Sequence, residues 1–473
     1  MSSLGVVRVS AGRRLPRRRP RSVDGLVTLA GAGFGAVVAH WAITMPSLAG
    51  GVPNVLLAAA QLAGLVGAYL ALVGLFLAAR VPVLESTVGL DGLIAVHARL
   101  GRWTLLLMVT HGVTVTLAYA ALARTGPLAQ FWSLITGYGW VLPAAAGLGL
   151  MLVAGVGSWW RARRRMRYET WWALHLTMYL GLALAIPHQI VNGAAFVGHP
   201  AARALWLALI GLVFGCLLAF RVGQPVIRAF RHRLRVVEVV EETTDVVSVV
   251  VAGSRMDRLP IAGGQFAHWR FLTRGLMWPS HPYSISAILP DGRLRITVRT
   301  AGDHGRLLRR LRPGTAVVME GPYGAFTVQA RHDGCPVTLV AAGIGITPIR
   351  SLLDDLPPES VPTVLHRARG DDDLVLGDEI DALVHARGGV THRLVGHRDR
   401  QPISARRLTE LVPGIEGHEL YVCGPPGFTA AVLAAARQLG IPRDRVHAES
   451  FRLHPADSAL PGRRNRFAVP HRS

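Results

Sequence analysis

Four histidines interrupt otherwise apolar segments, His97 and His111 in one, His175 and His188 in another. An ionisable side chain inside a bilayer costs at least a few kcal/mol, so it usually marks an ion path, a relay or a ligand. His97 and His111 lie fourteen residues apart, which is about 21 Å of helix and about 40° short of four full turns, so both imidazoles share a face. His175 and His188 lie thirteen apart, nearly the same separation in depth. Two helices with matched upper and lower histidines can hold two haems, each by bis-histidine axial ligation, stacked across a membrane. A regular helix leaves His188 about 140° out of phase with His175. Pro187 directly precedes it, and a proline kink can re-aim it.

These histidines need long apolar elements to carry them. The chain has 473 residues, 51% of them hydrophobic, and the apolarity is concentrated before residue 222. Stretches near 23–45, 52–79, 91–121, 138–160, 168–190 and 201–221 are each long enough to cross about 30 Å of hydrocarbon, which predicts six membrane helices. The first is too long, and lacks the small-residue cleavage site, for a removable signal peptide. The formal net charge is +22, and every basic residue is arginine. Clusters at Arg13–Arg21, Arg80–Arg102, Arg161–Arg167 and from Arg221 onward alternate with loops holding little beyond Arg124 and Arg203. This is the positive-inside pattern rather than a nucleic-acid face, and it predicts a multi-pass cell-membrane protein with both termini cytoplasmic. His97 and His175 then fall near the cytoplasmic side, His111 and His188 near the outer side. Arg99 and Arg102 lie within reach of the propionates of an inner haem. Cys216, Cys335 and Cys423 show neither a metal-type spacing nor a disulfide framework.

After Arg221 the texture changes to short β-branched runs, Leu234 to Glu241, Val246 to Val251 and Leu294 to Arg299, which predict a small antiparallel barrel. It contains His281-Pro282-Tyr283-Ser284-Ile285-Ser286, and later Gly321-Pro322-Tyr323-Gly324. From residue 336 an apolar strand, Val337 to Ala342, runs into Gly343-Ile344-Gly345-Ile346-Thr347-Pro348 and a helix-like segment. A glycine-rich turn between strand and helix lets the backbone approach a pyrophosphate at the helix N-terminus. A second buried parallel strand, Leu420 to Cys423, ends in Gly424-Pro425-Pro426, at the edge where open α/β sheets bind ligands. The strand Thr363 to Leu365 is followed by His366, Arg367 and Arg369, where arginine can pair with a 2′-phosphate.

On these motifs residues 230–452 resemble the ferredoxin-NADP reductase superfamily, and with the histidine-bearing helices the whole resembles the ferric reductase and NADPH oxidase family of transmembrane flavocytochromes. The implied architecture is a basic segment (1–22), a six-helix haem bundle (23–222), an antiparallel β-barrel FAD domain (230–330), an α/β parallel-sheet nicotinamide-binding domain (335–452) and a flexible tail (453–473). The resemblance implies that Tyr283 packs on the isoalloxazine, that Ser284 lies near the flavin N5, and that His281 stands where relatives carry arginine near the flavin pyrophosphate. Pro282, Ser286, Gly321 and Gly324 belong to the same flavin motifs. Gly343, Gly345, Thr347 and Pro348 fall where the family cradles the dinucleotide, and Cys423, Gly424 and Pro425 beside the nicotinamide. Glu449 and Phe451 match a pattern in which an aromatic ring covers the other flavin face. Gly305 stands where relatives carry serine or threonine; a backbone N–H can still meet the flavin pyrophosphate there.

The implied activity is a membrane NAD(P)H-dependent oxidoreductase using FAD and two b-type haems, with NADPH favoured over NADH. The acceptor is a ferric or other metal chelate, with superoxide production from oxygen and delivery to a periplasmic protein as alternatives, and a non-catalytic haem-binding sensor as the reading of another class. NADPH oxidases tend to carry a second histidine four residues beyond the outer ligand; here Val115 stands there. The oligomeric state is open.

Overall fold

A computed structural model describes residues 20–159, 166, 168–278, 280–300, 302–332, 334–396 and 403–450. They divide into two compact units that meet in sequence between Phe230 and Arg231. Most of the basic start, and the tail with Phe451, lie outside the described residues.

The first unit is helical, because in hydrocarbon a segment must satisfy its own backbone polar groups. In chain order it contains α1 (Pro20–Thr44), α2 (Val52–Ala78), α3 (Pro82–Val88), α4 (Leu90–Ala123), α5 (Pro127–Gly137), α6 (Val141–Ser158), α7 (Tyr168–Asn192) and α8 (Pro200–Leu217). A π-helical stretch, Leu218–Gly223, then leads into α9 (Gln224–His232). Among the described residues six helices are long and apolar enough to cross a membrane, matching the six segments expected. The short α3 and α5 are additions. Both open on proline, whose fixed φ suits a first turn, and both are too short to span.

Small residues set the helix spacing. A Cβ at Gly147 of α6 would strike the carbonyl of Gly181 on α7, and the reverse also holds, so the two backbones touch as membrane helices do when small residues meet. The Tyr69 hydroxyl of α2 donates to the Ala30 carbonyl of α1 at 2.7 Å, and Trp41 Nε1 to the Ala58 carbonyl at 2.9 Å.

The second unit begins with six antiparallel strands in the order β1-β2-β5-β4-β3-β6: β1 (Arg235–Thr243), β2 (Val246–Ala252), β3 (Phe266–Phe271), β4 (His281–Ile288), β5 (Leu294–Arg299) and β6 (Val317–Tyr323). An Arg235–Ala316 bridge and a bond from Val317 N to the Leu234 carbonyl, 2.8 Å, bring the two edge strands together. Valines of β2 interleave with Trp269, Phe271 and Ile296 in the core. The helix α10 (Gly302–Arg309) lies between β5 and β6.

Five strands follow in a wholly parallel sheet of order β11-β10-β7-β8-β9. They are β7 (Val337–Ala342), β8 (Pro362–Ala368), β9 (Val390–Val395), β10 (Glu419–Gly424) and β11 (Val446–Ser450), with helices α11 (Ile346–Asp355), α12 (Gly377–His385), α13 (Ala405–Leu411) and α14 (Pro426–Gln438) between them. Strand β7 is buried throughout, as a parallel strand covered on both faces must be. The chain order reverses between β7 and β10, and such a switch point opens a ligand crevice at the carboxyl ends of the strands.

Candidate functional site

The bundle brings the four histidines together as two pairs. His97 and His175 have ring centroids 6.1 Å apart, His111 and His188 6.3 Å. Two imidazoles binding one metal on opposite sides, each through a nitrogen about 2.0 Å from the metal and about 1.1 Å from its own ring centre, have centroids about 6.2 Å apart. Both observed separations therefore fit one metal ion between each pair. Helix α7 continues through Pro187, which cannot donate to the Ala183 carbonyl, and His188 reaches His111 despite its sequence phase.

The hydrogen bonds decide which nitrogen is left to bind. Nδ1 of His97 donates to the Gly74 carbonyl and Nδ1 of His111 to the Ala60 carbonyl, each at 2.8 Å. A carbonyl can only accept, so these rings carry their proton on Nδ1 and keep Nε2 for a ligand, the arrangement that orients metal-binding histidines. Ser158 spends its own proton on the Ala154 carbonyl. Its oxygen is thus an acceptor for Trp171 Nε1 and, at 3.3 Å, for Nδ1 of His175. The Asn192 amide, whose nitrogen donates to the Gly139 carbonyl at 2.7 Å, stands 3.4 Å from Nδ1 of His188. Ala60 and Gly74 are fourteen residues apart on α2, as His97 and His111 are on α4, so neighbouring antiparallel helices present an acceptor at each level. Sequence reading found α2 as a span but gave it no part in holding the histidines. Gly64, where a Cβ would sit 2.9 Å from Nδ1 of His111, and Gly74, 3.7 Å from that of His97, are the signal that was there. Arg99 and Arg102 are exposed on α4.

In the barrel, β4 carries the expected flavin motif. The His281 ring lies parallel to Tyr283, centroids 5.9 Å apart, and Trp269 Nε1 donates to the Tyr283 carbonyl at 3.1 Å; Pro282 between them is exposed. The Ser284 hydroxyl is buried and makes no hydrogen bond among the described residues. A buried orphan hydroxyl is costly, and one on this strand fits a flavin heteroatom as its partner. Ser286 differs: its hydroxyl bonds Thr297 at 2.8 Å and receives Arg295 Nε at 3.2 Å, so it serves the barrel's own network. Gly321 and Gly324 have φ of 134° and 100°, a region that favours glycine. Gly305 lies in the first turn of α10, and a Cβ there would strike the Thr300 backbone. The serine or threonine of relatives would not fit; the free N–H groups of that first turn remain to meet an anion.

At the switch point, Gly343 has φ of 53°, and a Cβ at Gly345 would strike the Cys423 carbonyl, so the loop presses directly on β10. The Thr347 hydroxyl donates to the Ile344 carbonyl at 3.0 Å, and Pro348 is buried in the first turn of α11. Gly424 is closed in by Phe428 and Ala342, and Pro425 caps α14. Cys423 is wholly buried, and burial, reinforced by the charge of Glu449, pushes its thiol well up. It therefore stays protonated and packs rather than attacks. Glu449 is its direct neighbour on β11. Along β8, Arg367 is buried and Arg369 is exposed just past the strand. His366 is buried, and burial followed by the Arg393 charge lowers its pKa to about 4. Its Nε2 makes no hydrogen bond among the described residues. A neutral ring with an orphan nitrogen at the strand's carboxyl end fits a nucleotide.

A network with no counterpart in local sequence joins the two sheets. Glu379 of α12 accepts from Arg295 of β5 at 2.8 and 2.9 Å and from Arg350 of α11 at 2.5 Å. Gly263 N donates to Asp355 at 2.6 Å and Gly264 N to Ser351 at 2.8 Å. The flavin strand and the helix after the nucleotide loop are thereby held in one frame.

A histidine-bearing apolar bundle followed by a flavin-type barrel and a nucleotide-type sheet defines a membrane-bound reductase architecture. Family comparison agrees: residues 63–186 match the ferric reductase like transmembrane component, 230–327 the FAD-binding domain and 339–433 the oxidoreductase NAD-binding domain. The chain thus carries a ferric reductase-like transmembrane domain followed by FAD-binding and NAD-binding domains, and its reductase unit belongs with the ferredoxin-NADP reductases. It is 31% identical over 250 residues to the flavohemoprotein of Bordetella pertussis, covering 47% of this chain and 60% of that one. It is 30% identical over 191 residues to ferredoxin--NADP reductase B of Sorangium cellulosum, covering 36% of this chain and 77% of that one. Among solved structures it is similar to the flavohem-like FAD/NAD binding domain of nitric oxide dioxygenase from Vibrio cholerae, with 26% identity and a TM-score of 0.41 over 46% of this chain and 98% of that one.

The packing around His111 makes one position on α2 decisive. Gly64→Val is expected to displace the ring and lower the affinity for the haem at that level by about tenfold or more, the usual scale for disturbing a ligand's supports. Gly149→Val, where a Cβ meets nothing within 4 Å, is expected to leave haem content unchanged. Pyridine haemochromogen assay of the two purified variants reads the difference.

Proposed function

We propose that the chain takes reducing equivalents from cytoplasmic NADPH, with FAD and two b-type haems as its carriers, and delivers them to an anionic ferric chelate beyond the opposite membrane face. The observation that carries this reading is the pair of facing imidazole sets, each spaced for one metal and set at two depths of one bundle. A bound flavin takes two electrons with a hydride and gives them up singly, and a bound haem carries one electron at a time. The protein's work is to bind, orient and exclude water.

His97, His111, His175 and His188 hold the metals. Ser284, with Tyr283 and His281, orients the flavin ring, while α10 meets the pyrophosphate. Gly343, Gly345 and Thr347 cradle the dinucleotide; Cys423, Gly424, Pro425 and Glu449 shape the nicotinamide end, with Phe451 next in sequence. The outer face supports an anionic acceptor. Between Asp24 and Glu238 the only carboxylates are Glu85, Asp91 and Glu169, all near the cytoplasmic ends, whereas Arg124 and Arg203 lie outside. A bare ferric cation would find no carboxylate ligand there, and an anionic chelate finds arginine. Val115 leaves out the extra histidine expected of an oxygen-reducing relative.

Two outcomes test the reading. Ferric-chelate reduction by intact cells should persist undiminished with superoxide dismutase, and purified protein should carry about two haems per chain with a low-spin bis-histidine spectrum. His188→Ala should retain about one haem and lose transmembrane reduction while flavin reduction by NADPH continues. A ratio of one haem per chain, unchanged in His188→Ala, would contradict the assignment.

Arg369, exposed at the end of β8, and Arg367 behind it give the nucleotide preference. Replacing both with alanine is expected to cut the NADPH-to-NADH efficiency ratio by about tenfold or more, on the scale of a lost charge-assisted bond to phosphate. Steady-state flavin reduction with each nucleotide measures it, and an unchanged ratio would refute the role.

A further inference from the structure

Three exposed apolar side chains of the barrel stand within one turn between β3 and β4: Leu272 at 48%, Met277 at 42% and Trp278 at 81% exposure. The turn is built rather than loose. Leu272 N donates to the Ala316 carbonyl at 2.8 Å and Leu276 N to the Thr273 carbonyl at 3.1 Å. Gly275 has φ of 85°, and a Cβ there would sit 2.8 Å from Leu307. Leu276 is sunk into the barrel core. One apolar residue thus pins the turn while its neighbours are held in water, against the hydrophobic drive of about 25 cal/mol per Å².

The place of this turn is informative. Ala316, to which Leu272 bonds, is the residue that bridges Arg235 at the start of β1. The turn therefore emerges beside the point where the chain enters the barrel. That entry lies three residues beyond α9, and α9 prolongs the sixth apolar helix without a break: Pro200–His232 forms one continuous candidate span. Only Arg233 and Leu234 separate the end of α9 from β1, so the barrel is tied to that helix by a short covalent link. Helix α9 also exposes Ile227 at 63% and Phe230 at 76%, with Arg228 and Arg231 next to them in sequence. Arg274 within the turn is exposed, as is Arg310, three residues beyond the Leu307 that faces Gly275, while Arg270 lies 4.0 Å from Glu320.

We propose that the turn 272–278 is a membrane-docking element of the flavin barrel, seated on acidic phospholipid headgroups. Tryptophan prefers the depth of the headgroups, exposed apolar residues flanked by arginine bind there, and each arginine near an anionic surface adds about 1 kcal/mol. This rests on the multi-pass reading of the bundle, which the experiment below reads separately.

Full-length protein and its Trp278→Phe variant are placed in nanodiscs of phosphatidylcholine with or without phosphatidylglycerol, using lipids brominated near the headgroup end of the acyl chains. The difference in emission between the two proteins isolates Trp278. In discs with phosphatidylglycerol that emission is expected to be blue-shifted and quenched about twofold. Quenching should weaken in phosphatidylcholine alone and in Arg274→Glu. The remaining emission of Trp278→Phe, which includes the bundle tryptophans, should be quenched in every disc. Trp278 emission that is unquenched while the bundle tryptophans are quenched would overturn the proposal, including a blue-shifted but unquenched Trp278 buried against protein. Equal quenching with and without phosphatidylglycerol would overturn the acidic-lipid assignment. Loss of quenching in both signals would overturn the multi-pass reading and the proposal with it.

Discussion

The constraint on which the bundle depends is the bond each histidine makes away from its partner. In a medium without water, a ring N–H with no acceptor is expensive, and a carbonyl inside a regular helix already takes one amide proton. Each carbonyl keeps a second lone pair, and α2 offers two of these, at Ala60 and Gly74, to His111 and His97. Glycine at 64 and 74 leaves room for the rings to approach. Once Nδ1 is tied back, Nε2 of His97, His111 and His175 is the nitrogen left for the space between α4 and α7. Spacing, tautomer and helix packing are therefore one condition, and the contact of Gly147 with Gly181 sets the distance from α6 to α7 on the other side.

The reductase unit answers a different demand, to hold two planar cofactors in fixed register. Its solution is two sheets and a polar seam. Glu379 draws together an arginine from the barrel and one from the helix after the nucleotide loop, and Ser286 props the first of these. A carboxylate shared by two guanidiniums is well compensated where exposure is limited. Ser284 and His366 are two of the buried polar groups left without a partner among the described residues, one on the flavin strand and one on the second nucleotide strand.

Periodicity and turn chemistry carried the reading a long way. The six apolar runs, strands β2, β5 and β7 and the glycine turn before α11 follow from local pattern, each fixed by residues close in sequence, and the pairing of His97 with His175 follows from matched depth on two such runs. What escaped was fixed by partners far away. The α2 acceptors lie 23 and 51 residues from their histidines, and Arg295 lies 84 from Glu379. Ideal helical phase alone would turn His188 away from His111, and Pro187, legible in the sequence, is what permits the pairing. The glycine at 305, where relatives carry serine or threonine, is required by the Thr300 backbone, which no local pattern shows. Short helices α3 and α5 were hidden because their apolar residues number too few to show a period.

The most direct test of the central claim is directional electron transfer across a sealed membrane. In proteoliposomes with the reductase unit facing outward, external NADPH is expected to reduce a membrane-impermeant ferric chelate trapped in the lumen. Each electron crossing alone works against a potential worth about 2.3 kcal/mol per 100 mV, so collapsing the opposing potential should speed the reaction, and His111→Ala should abolish it. Reduction of chelate only on the NADPH side, indifferent to His111→Ala, would contradict the account.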